Sequence, residues 1–110
     1  MAESNLVIVG VNHKTTPVEI REQLAFTRGK IEDSIEKLVS FPEIIENIII
    51  STCNRVEIYA RVSDIEKGIL LLKRFVCDYH GLSLDDLNEH FYCYRNQETI
   101  EHLFRVSSSL

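Results

Sequence analysis

Four consecutive polar residues carry the group in this sequence best suited to nucleophilic chemistry. Thr52, Cys53, Asn54 and Arg55 interrupt a strand-like run of apolar residues. The thiolate is the reactive form of cysteine, and a nearby cation raises the ionised fraction. Arg55 lies two residues after Cys53, so in an extended chain both side chains share one face. This spacing predicts a stabilised thiolate or a guanidinium that holds a carboxylate, with Thr52 and Asn54 orienting a carbonyl or an amine.

The competing interpretation is that Cys53 is a small buried hydrophobic residue, the usual role of a free cysteine near a strand end. We interpret Cys77 and Cys93 as structural because neither lies in such a polar group. The three cysteines form no CxxC pair, and so sparse and odd a set indicates a reducing compartment rather than a disulfide framework. A metal site of Cys53 with histidines is disfavoured because the ligand spacing is missing.

Among the four histidines, His102 is the candidate general base. It lies between Ile100 and Leu103 and should flank the buried face of a helix, where it could also be an ordinary surface histidine. A general base must reach the thiol or the substrate within hydrogen-bond range. His13 ends the first predicted strand, and the sequence alone does not place it beside Cys53. His80 and His90 are expected to be ordinary surface or strand residues, as the chain offers neither an obvious partner.

The spacing of apolar residues predicts the elements that position these groups. The run from Leu6 to Val11 predicts a strand buried on both faces, and the alternation of residues 55–62 predicts a half-buried strand. The pattern of residues 65–80 predicts a helix capped by Asp64 and ended by Gly81. Thr16-Pro17-Val18-Glu19 fits a capping box.

Two further stretches complete the predicted chain. Residues 90–95 form a fourth strand, rich in aromatic residues. Asn96 then caps a last helix, with Ile100, Leu103 and Phe104 facing inward. The order of strands and helices is that of the split βαβ, or ferredoxin-like, α+β fold. We therefore expect a four-stranded antiparallel sheet centred on the first and third strands, helices packed on one face, and an extra C-terminal helix. This fold supports many functions, so it decides none.

Composition limits the classes of function. The chain has 110 residues, 45% hydrophobic, which suits one domain with one core. Its net charge of −5 makes it a poor general binder of polyanions, which need clustered Lys and Arg. The N-terminus has no basic segment, and residues 6–11 are too short to span a membrane. We expect a cytoplasmic protein without a membrane segment.

Two long motifs resemble one known family. The segments GVNHKTTPVEIRE (residues 10–22) and STCNRVEIY (residues 51–59) closely resemble the N-terminal domain of glutamyl-tRNA reductase, and CDYHGL and HLFRVSSSL are similar to it too. The resemblance implies an enzyme that reduces glutamyl-tRNA to glutamate-1-semialdehyde with NADPH. That reaction is the first committed step of the C5 route to 5-aminolevulinate and tetrapyrroles.

The resemblance also implies roles for individual residues. Cys53 would attack the aminoacyl ester and form a thioester, which hydride transfer would then release as the aldehyde. Thr52, Asn54 and Arg55 fall on motif positions associated with substrate binding, with Arg55 as the anchor for the glutamate carboxylate. His102 matches a histidine important for activity. No defined role carries over to His13.

The same resemblance sets the expected domain organisation. Residues 1–110 would be a single N-terminal catalytic domain, stopping inside a helix at residues 107–110. The four glycines are too dispersed for a GxGxxG motif, so no cofactor-binding residue is expected in this chain. The NADPH-binding and dimerisation domains would lie beyond Leu110, in a homodimer associated with glutamate-1-semialdehyde aminotransferase. Alone, the chain would form the thioester without completing the reduction.

Two other classes of function remain open from the residues alone. One is a single-stranded RNA-binding module on the same fold, which would display aromatic residues on its central strands. The other is a regulatory or protein-interaction domain with a structural cysteine. The rate at which Cys53 is alkylated, relative to Cys77 and Cys93, separates the second class from a nucleophile.

Overall fold

The structure is a computed structural model that describes residues 5–109. Leu110, where the predicted last helix was expected to continue, lies outside the described residues. The strands are β1 (Asn5–Asn12), β2 (Ile44–Ser51), β3 (Arg55–Val62) and β4 (Tyr92–Arg95). The helices are α1 (Val18–Leu24), α2 (Arg28–Val39), α3 (Ile65–Tyr79), α4 (Leu84–Leu87) and α5 (Gln97–Ser109), and a 3₁₀ turn covers Asn88–His90.

The four strands form one antiparallel sheet in the order β2-β3-β1-β4. The first and third strands are central, which confirms the predicted ferredoxin-like α+β fold. The pairing of β1 with β3 runs from Asn5 opposite Val62 to Asn12 opposite Arg55. The end of β1 therefore lies beside the turn between β2 and β3, which carries Cys53. The sequence alone had left these two segments unpaired.

One face of the sheet holds the hydrophobic core. Alternate residues of a strand point to the same side, so Val7, Val9 and Val11 all face the helices. They join Val56 and Ile58 of β3, and the buried hydrophobic residues from the helices are Leu24, Leu38, Ile69, Leu72, Val76, Cys77 and Leu87. Each such fully buried side chain contributes about 1.5–3 kcal/mol relative to an exposed one. This apolar layer holds the sheet rigid beneath the turn.

Helix α5 packs on the opposite face of the sheet against β4 and β1, while Ile48 of β2 on that face stays 62% exposed. The sequence misjudged this helix. Phe104 was predicted to face inward but is 70% exposed, and Ile100 and Leu103 are exposed too. The buried residues of α5 are instead Thr99, His102 and Val106. They keep the helical three–four spacing, and they suit the polar side chains of the sheet beneath them.

The second face of β3 is also more buried than the sequence predicted. Its odd-numbered side was predicted to be solvated, but Glu57 and Tyr59 are buried. The alternation in the sequence was correct, and only the assumption of an open face was wrong. A polar residue on a strand faces either water or a polar interior. Glu57 and Tyr59 of β3 face a polar interior.

The helix ends agree with the sequence in part. The side chain of Asp64 accepts a hydrogen bond from the Lys67 N–H at 3.0 Å, as predicted. Gly81 follows α3 with a φ of +69°, a conformation that glycine adopts without strain. The capping box was wrong, because Pro17 is the N-cap and makes no side-chain cap. Thr16 instead donates its hydroxyl to the His90 carbonyl at 3.4 Å, on the approach to β4.

Among the described residues, we find no helix with the length and apolar character needed to cross a membrane.

His80, at the end of α3, should make folding stability depend on pH. Its ring packs against Phe26, and its Nε2 is buried without a hydrogen-bond partner among the described residues. Burial, and to a lesser extent Lys30, lowers the pKa of His80 below its ordinary 6.5, against a raising hydrogen bond to the Leu24 backbone. The unfolded chain therefore binds the proton more readily, and stability is lost as the pH falls below 6.5.

The expected result is a smaller fall in the free energy of unfolding between pH 7.5 and pH 5 in His80→Gln than in the native chain. Urea titrations at the two pH values measure it. A His13→Gln variant serves as the control, since His13 is exposed. An equal fall in the native chain and in His80→Gln would contradict the prediction.

Candidate active site

Cys53 lies at the exposed tip of the turn between β2 and β3. The Thr52 N–H donates to the Arg55 carbonyl at 2.8 Å and closes the turn. The Thr52 hydroxyl oxygen also accepts from the backbone N–H groups of Asn54 and Arg55, at 3.2 and 3.3 Å. Its own O–H remains a donor, since a hydroxyl has one proton besides two lone pairs. The Cys53 thiol thus projects from a turn whose shape is fixed by the hydrogen bonds of the neighbouring Thr52.

The other two cysteines lie elsewhere. Cys77 is fully buried in the core, and Cys93 is half-buried on β4. Burial, with a smaller contribution from Asp78, raises the pKa of the Cys77 thiol. Both positions agree with the structural interpretation. Cys53 is the exposed thiol among them.

A polar pocket of about 510 Å³ opens beside the turn. Its walls come from four parts of the fold: the end of β1 and the turn after it, the start of β3 and the turn before it, β4, and the second half of α5. The lining residues are Asn12, His13, Lys14, Asn54, Arg55, Tyr94, His102, Arg105 and Val106. The structure therefore brings together Asn54, Arg55 and His102 of the residues predicted from sequence, and it adds His13. Cys53 and Thr52 border this set through Asn54 but do not line the pocket.

Two residues of the pocket lining, Arg55 and His102, contact a buried carboxylate that the sequence did not single out. Glu57 is 0% exposed and accepts four hydrogen bonds. The donors are Tyr59 Oη at 2.9 Å, Arg55 Nη1 at 3.4 Å, the Tyr92 hydroxyl, and His102 through Nε2 at 2.6 Å. We call these five residues the Glu57 cluster. The only sequence signal was an acid facing the same way as Tyr59 in a central strand.

The two tyrosines of the Glu57 cluster remain neutral donors. Burial raises the pKa of Tyr59 well above its ordinary value, and the charge and hydrogen bond of Glu57 add to this effect. Burial likewise raises the pKa of Tyr92, followed by its hydrogen bond to Glu57 and the charge of that carboxylate. Both hydroxyls therefore keep their protons throughout the neutral range. Tyr59 and Tyr92 are therefore uncharged hydrogen-bond donors to Glu57.

His102 is oriented by this carboxylate. Where Glu57 is ionised it accepts from Nε2–H, so Nδ1 is the ring nitrogen with a free lone pair. The ring also lies against Tyr94, with centroids 4.9 Å apart. Because His102 lines the pocket as well, the structure joins a fixed imidazole to the wall that a ligand would touch. This arrangement can accept or return a proton.

Gly10 allows the Glu57 cluster to form, and its replacement should be costly. A Cβ at Gly10 would lie 2.8 Å from Glu57 Cγ and 2.9 Å from the Val56 carbonyl oxygen. Gly10→Ala is therefore expected to lower the free energy of unfolding by about 1–3 kcal/mol through overpacking. Urea denaturation measures this change.

Gly29→Ala is the matched control for that substitution. Gly29 lies exposed in α2, and nothing is within 4 Å of its added Cβ. The alanine there should stabilise the domain by roughly 0.5–1 kcal/mol. Two substitutions of equal effect would show that Gly10 has no packing role.

Among the described residues, no three His, Cys, Asp or Glu side chains are grouped as metal ligands would be. The fold and the pocket together define the class of this protein: a ferredoxin-like α+β domain with an exposed thiol beside a cationic pocket.

Comparison with known proteins gives the family. The family model "Glutamyl-tRNAGlu reductase, N-terminal domain" matches residues 9–110. The chain is 51% identical over 106 residues to the glutamyl-tRNA reductase of Geotalea uraniireducens, covering 96% of this chain and 24% of that protein. It is 44% identical over 106 residues to that of Prochlorococcus marinus strain MIT 9301, with the same coverage of 96% and 24%. The chain belongs to the glutamyl-tRNA reductase N-terminal domain family.

A solved structure supports the same assignment. The glutamyl-tRNA reductase from Methanopyrus kandleri matches with a TM-score of 0.69 and 27% identity, over 98% of this chain and 23% of that one. The chain thus spans about a quarter of the length of its curated relatives. The family and the fold predicted from the two motifs are confirmed. The roles of individual site residues stay predictions.

Proposed function

We propose that this domain captures the glutamyl group of glutamyl-tRNA on Cys53, within an enzyme that yields glutamate-1-semialdehyde for tetrapyrrole synthesis. One observation carries the proposal: an exposed cysteine projects from a fixed turn beside a pocket that contains Arg55. The names of the relatives supply the substrate. Recognition of a small acidic side chain accounts for a planar guanidinium next to the nucleophile.

The proposed step is an acyl transfer. The thiolate of Cys53 attacks the carbonyl carbon of the ester, so a C–S bond forms and the bond from that carbon to the ribose oxygen breaks. His102 is the proposed carrier of the proton: its Nδ1 takes the proton from the Cys53 thiol and returns it to the departing ribose oxygen. The product is a thioester, which is more electrophilic toward hydride than an oxygen ester. Cysteine therefore suits this position better than serine.

Arg55 is proposed to hold the glutamate side-chain carboxylate. Its side chain is 14% exposed, and Nη1 contacts the buried Glu57 at 3.4 Å. A guanidinium has five N–H donors in a fixed plane, so this one contact leaves others for a ligand. Glu57 thereby positions both Arg55 and His102. Thr52 O–H and the Asn54 amide are the proposed contacts for the remaining polar groups of the amino acid.

The rest of the enzyme is proposed to lie outside these residues. The four glycines do not make the glycine-rich turn that binds a dinucleotide, so this chain does not fit NADPH. We assign residues 1–110 to a single catalytic domain, with NADPH and the dimer contacts belonging to other domains. A homodimer, an association with glutamate-1-semialdehyde aminotransferase and a cytoplasmic location are part of the same proposal.

The RNA-binding alternative loses support from the arrangement of the sheet. Single-stranded RNA modules of this fold stack bases on aromatic side chains of an open sheet face. In this domain α5 packs on that face against β4 and β1, and Tyr59 is buried. Stacking at Tyr59 would require α5 to leave the sheet.

Mass spectrometry of the intact protein tests the proposal. After mixing with glutamyl-tRNA, the native chain should gain the mass of one glutamyl group, and a Cys53→Ser chain should gain none. Cys93→Ala is the matched control and should still form the adduct. A native chain without an adduct, or an adduct retained in Cys53→Ser, would overturn the assignment of Cys53.

A further inference from the structure

The pocket has a charge that differs from that of the chain as a whole. The sequence contains 17 acidic and 12 basic side chains, with a net charge of −5. The described residues that line the pocket nevertheless include Lys14, Arg55, Arg105 and two histidines, and none of them is Asp or Glu. One guanidinium is enough to hold the carboxylate of a glutamyl group. The other two cations are therefore not accounted for by the amino acid.

Lys14 and Arg105 line the pocket from different parts of the fold. Lys14 belongs to the turn after β1, which Asn12 fixes by accepting from the backbone N–H groups of Lys14 and Thr15 at 2.9 and 3.1 Å. Its side chain is exposed, and no ion pair among the described residues includes it. Arg105 lies on α5, three residues after His102, so the two share one side of the helix. Arg55 contacts Glu57 at 3.4 Å, so the charge of that guanidinium is partly balanced within the fold.

We propose that Lys14 and Arg105 form a phosphate subsite for the terminal nucleotide of the RNA substrate. This inference rests on the proposed function. In an aminoacyl ester the acyl group is attached to the terminal ribose, and the nearest anion in the RNA is the phosphate preceding that ribose. A substrate whose carbonyl reaches Cys53 and whose carboxylate reaches Arg55 brings this phosphate within one nucleotide of the turn. Lysine supplies a compact positive charge there, and arginine supplies a planar guanidinium that can donate two parallel hydrogen bonds. Both side chains bind phosphate oxygens.

The local character of the subsite agrees with the acidity of the domain. General affinity for a polyanion needs many clustered cations, which this chain lacks. Two cations suffice for one phosphate, and they act at the end of the RNA that carries the reacting bond. Because the sequence contains no glycine-rich dinucleotide motif, the phosphates of a dinucleotide cofactor are the less favoured ligand.

The first experiment measures binding of the trinucleotide CCA, bearing a phosphate at its first residue, by fluorescence anisotropy. Lys14→Gln is expected to weaken binding about tenfold, equivalent to about 1.4 kcal/mol. It should also reduce the slope of log affinity against log salt by about one. Lys14→Arg should restore most of the affinity. The control is Lys67→Gln on α3, which is exposed and outside the pocket lining, and it should bind as the native chain does.

The second experiment separates this inference from the proposed function. Two acyl donors are compared by the rate of adduct formation on Cys53: glutamyl-tRNA, and a glutamyl-adenosine ester that has no phosphate. Lys14→Gln and Arg105→Gln should each lower the ratio of the two rates about tenfold. An unchanged ratio together with unchanged CCA affinity would overturn the subsite.

Two further outcomes are decisive. A native chain that binds CCA through Lys14 but forms no adduct with either donor would leave the subsite standing and refute the role of Cys53. Titration with NADPH gives the last distinction. If NADPH binds more tightly than CCA and is the ligand sensitive to Lys14→Gln, the phosphate subsite belongs to a cofactor and the inference is wrong.

Discussion

Replacing Glu57 with alanine is expected to lower the free energy of unfolding by about 3–5 kcal/mol. The substitution removes the acceptor of four hydrogen bonds at the centre of the sheet and leaves the Tyr59 hydroxyl and His102 Nε2 buried without a partner. An unsatisfied buried polar group costs far more than a typical hydrogen bond contributes. For a domain whose whole stability is about 5–15 kcal/mol, this loss brings the chain near unfolding. Urea titration followed by circular dichroism measures it.

Glu46→Ala provides the matched control for this prediction. Glu46 also pairs with an arginine of β3, Arg61 at 3.2 Å, but its side chain is 70% exposed. An exposed pair contributes only about 0–1 kcal/mol. If both substitutions cost less than about 1 kcal/mol, the Glu57 cluster does not stabilise the domain in solution. A Glu57→Gln chain keeps the shape but introduces an amide donor among existing donors, so it should lie between the two.

Cys53 should react with iodoacetamide more than about 100-fold faster than Cys77 in the folded chain. Cys53 is exposed at the turn, whereas Cys77 is fully buried and reacts only when the core opens. The raised pKa of the Cys77 thiol lowers its thiolate fraction further. Cys93, half-buried on β4, should react at an intermediate rate. Peptide mass spectrometry at successive times resolves the three rates.

Two controls test whether the fold, and Cys53 in particular, causes the difference in labelling rates. In concentrated urea the three thiols should react at similar rates, because the fold no longer distinguishes them. In Cys53→Ser the fast phase should disappear. Fast labelling of Cys77 in the native chain would show that the core is open, and slow labelling of Cys53 would rule out an accessible nucleophile.

The sequence predicted the sheet and its strand order because one physical pattern governed those elements. The β1 run and the alternation of β3 are fixed by a core that needs apolar side chains at regular positions. The helical spacing of α3 is of the same kind. All three elements bury their apolar faces in one layer, so each local pattern agreed with the global fold.

The placement of α5 could not be predicted in this way. Its most apolar residues, such as Phe104, are exposed, while Thr99 and His102 are buried. A hydrophobic pattern identifies the buried face of a helix only when the surface beneath it is apolar. The sheet beneath α5 carries Glu57, so burial there follows hydrogen bonding. The sequence contained the necessary residues but not the pairing that joins them.

The candidate site likewise has one part that could be predicted from the sequence and one part that could not. Thr52, Cys53, Asn54 and Arg55 are adjacent in the chain, so their grouping was visible in the sequence. Lys14 and His13 reach the pocket only through the pairing of β1 with β3, and Glu57 acts through contacts 35 and 45 residues away along the chain. Strand register and the path of the last helix are three-dimensional facts. No spacing rule within one segment supplies them.

The burial of Glu57 has a consequence for how ionic strength acts on this domain. Mobile ions cannot enter the interior, so the attraction between that carboxylate and its donors is little affected by dissolved salt. The exposed ammonium of Lys14 is screened within about 10 Å at 0.1 M salt. Raising the ionic strength should therefore weaken the long-range attraction of an anionic ligand while leaving the Glu57 cluster intact. Varying the salt concentration therefore separates the rate of ligand association, which should change, from the stability of the fold, which should change little.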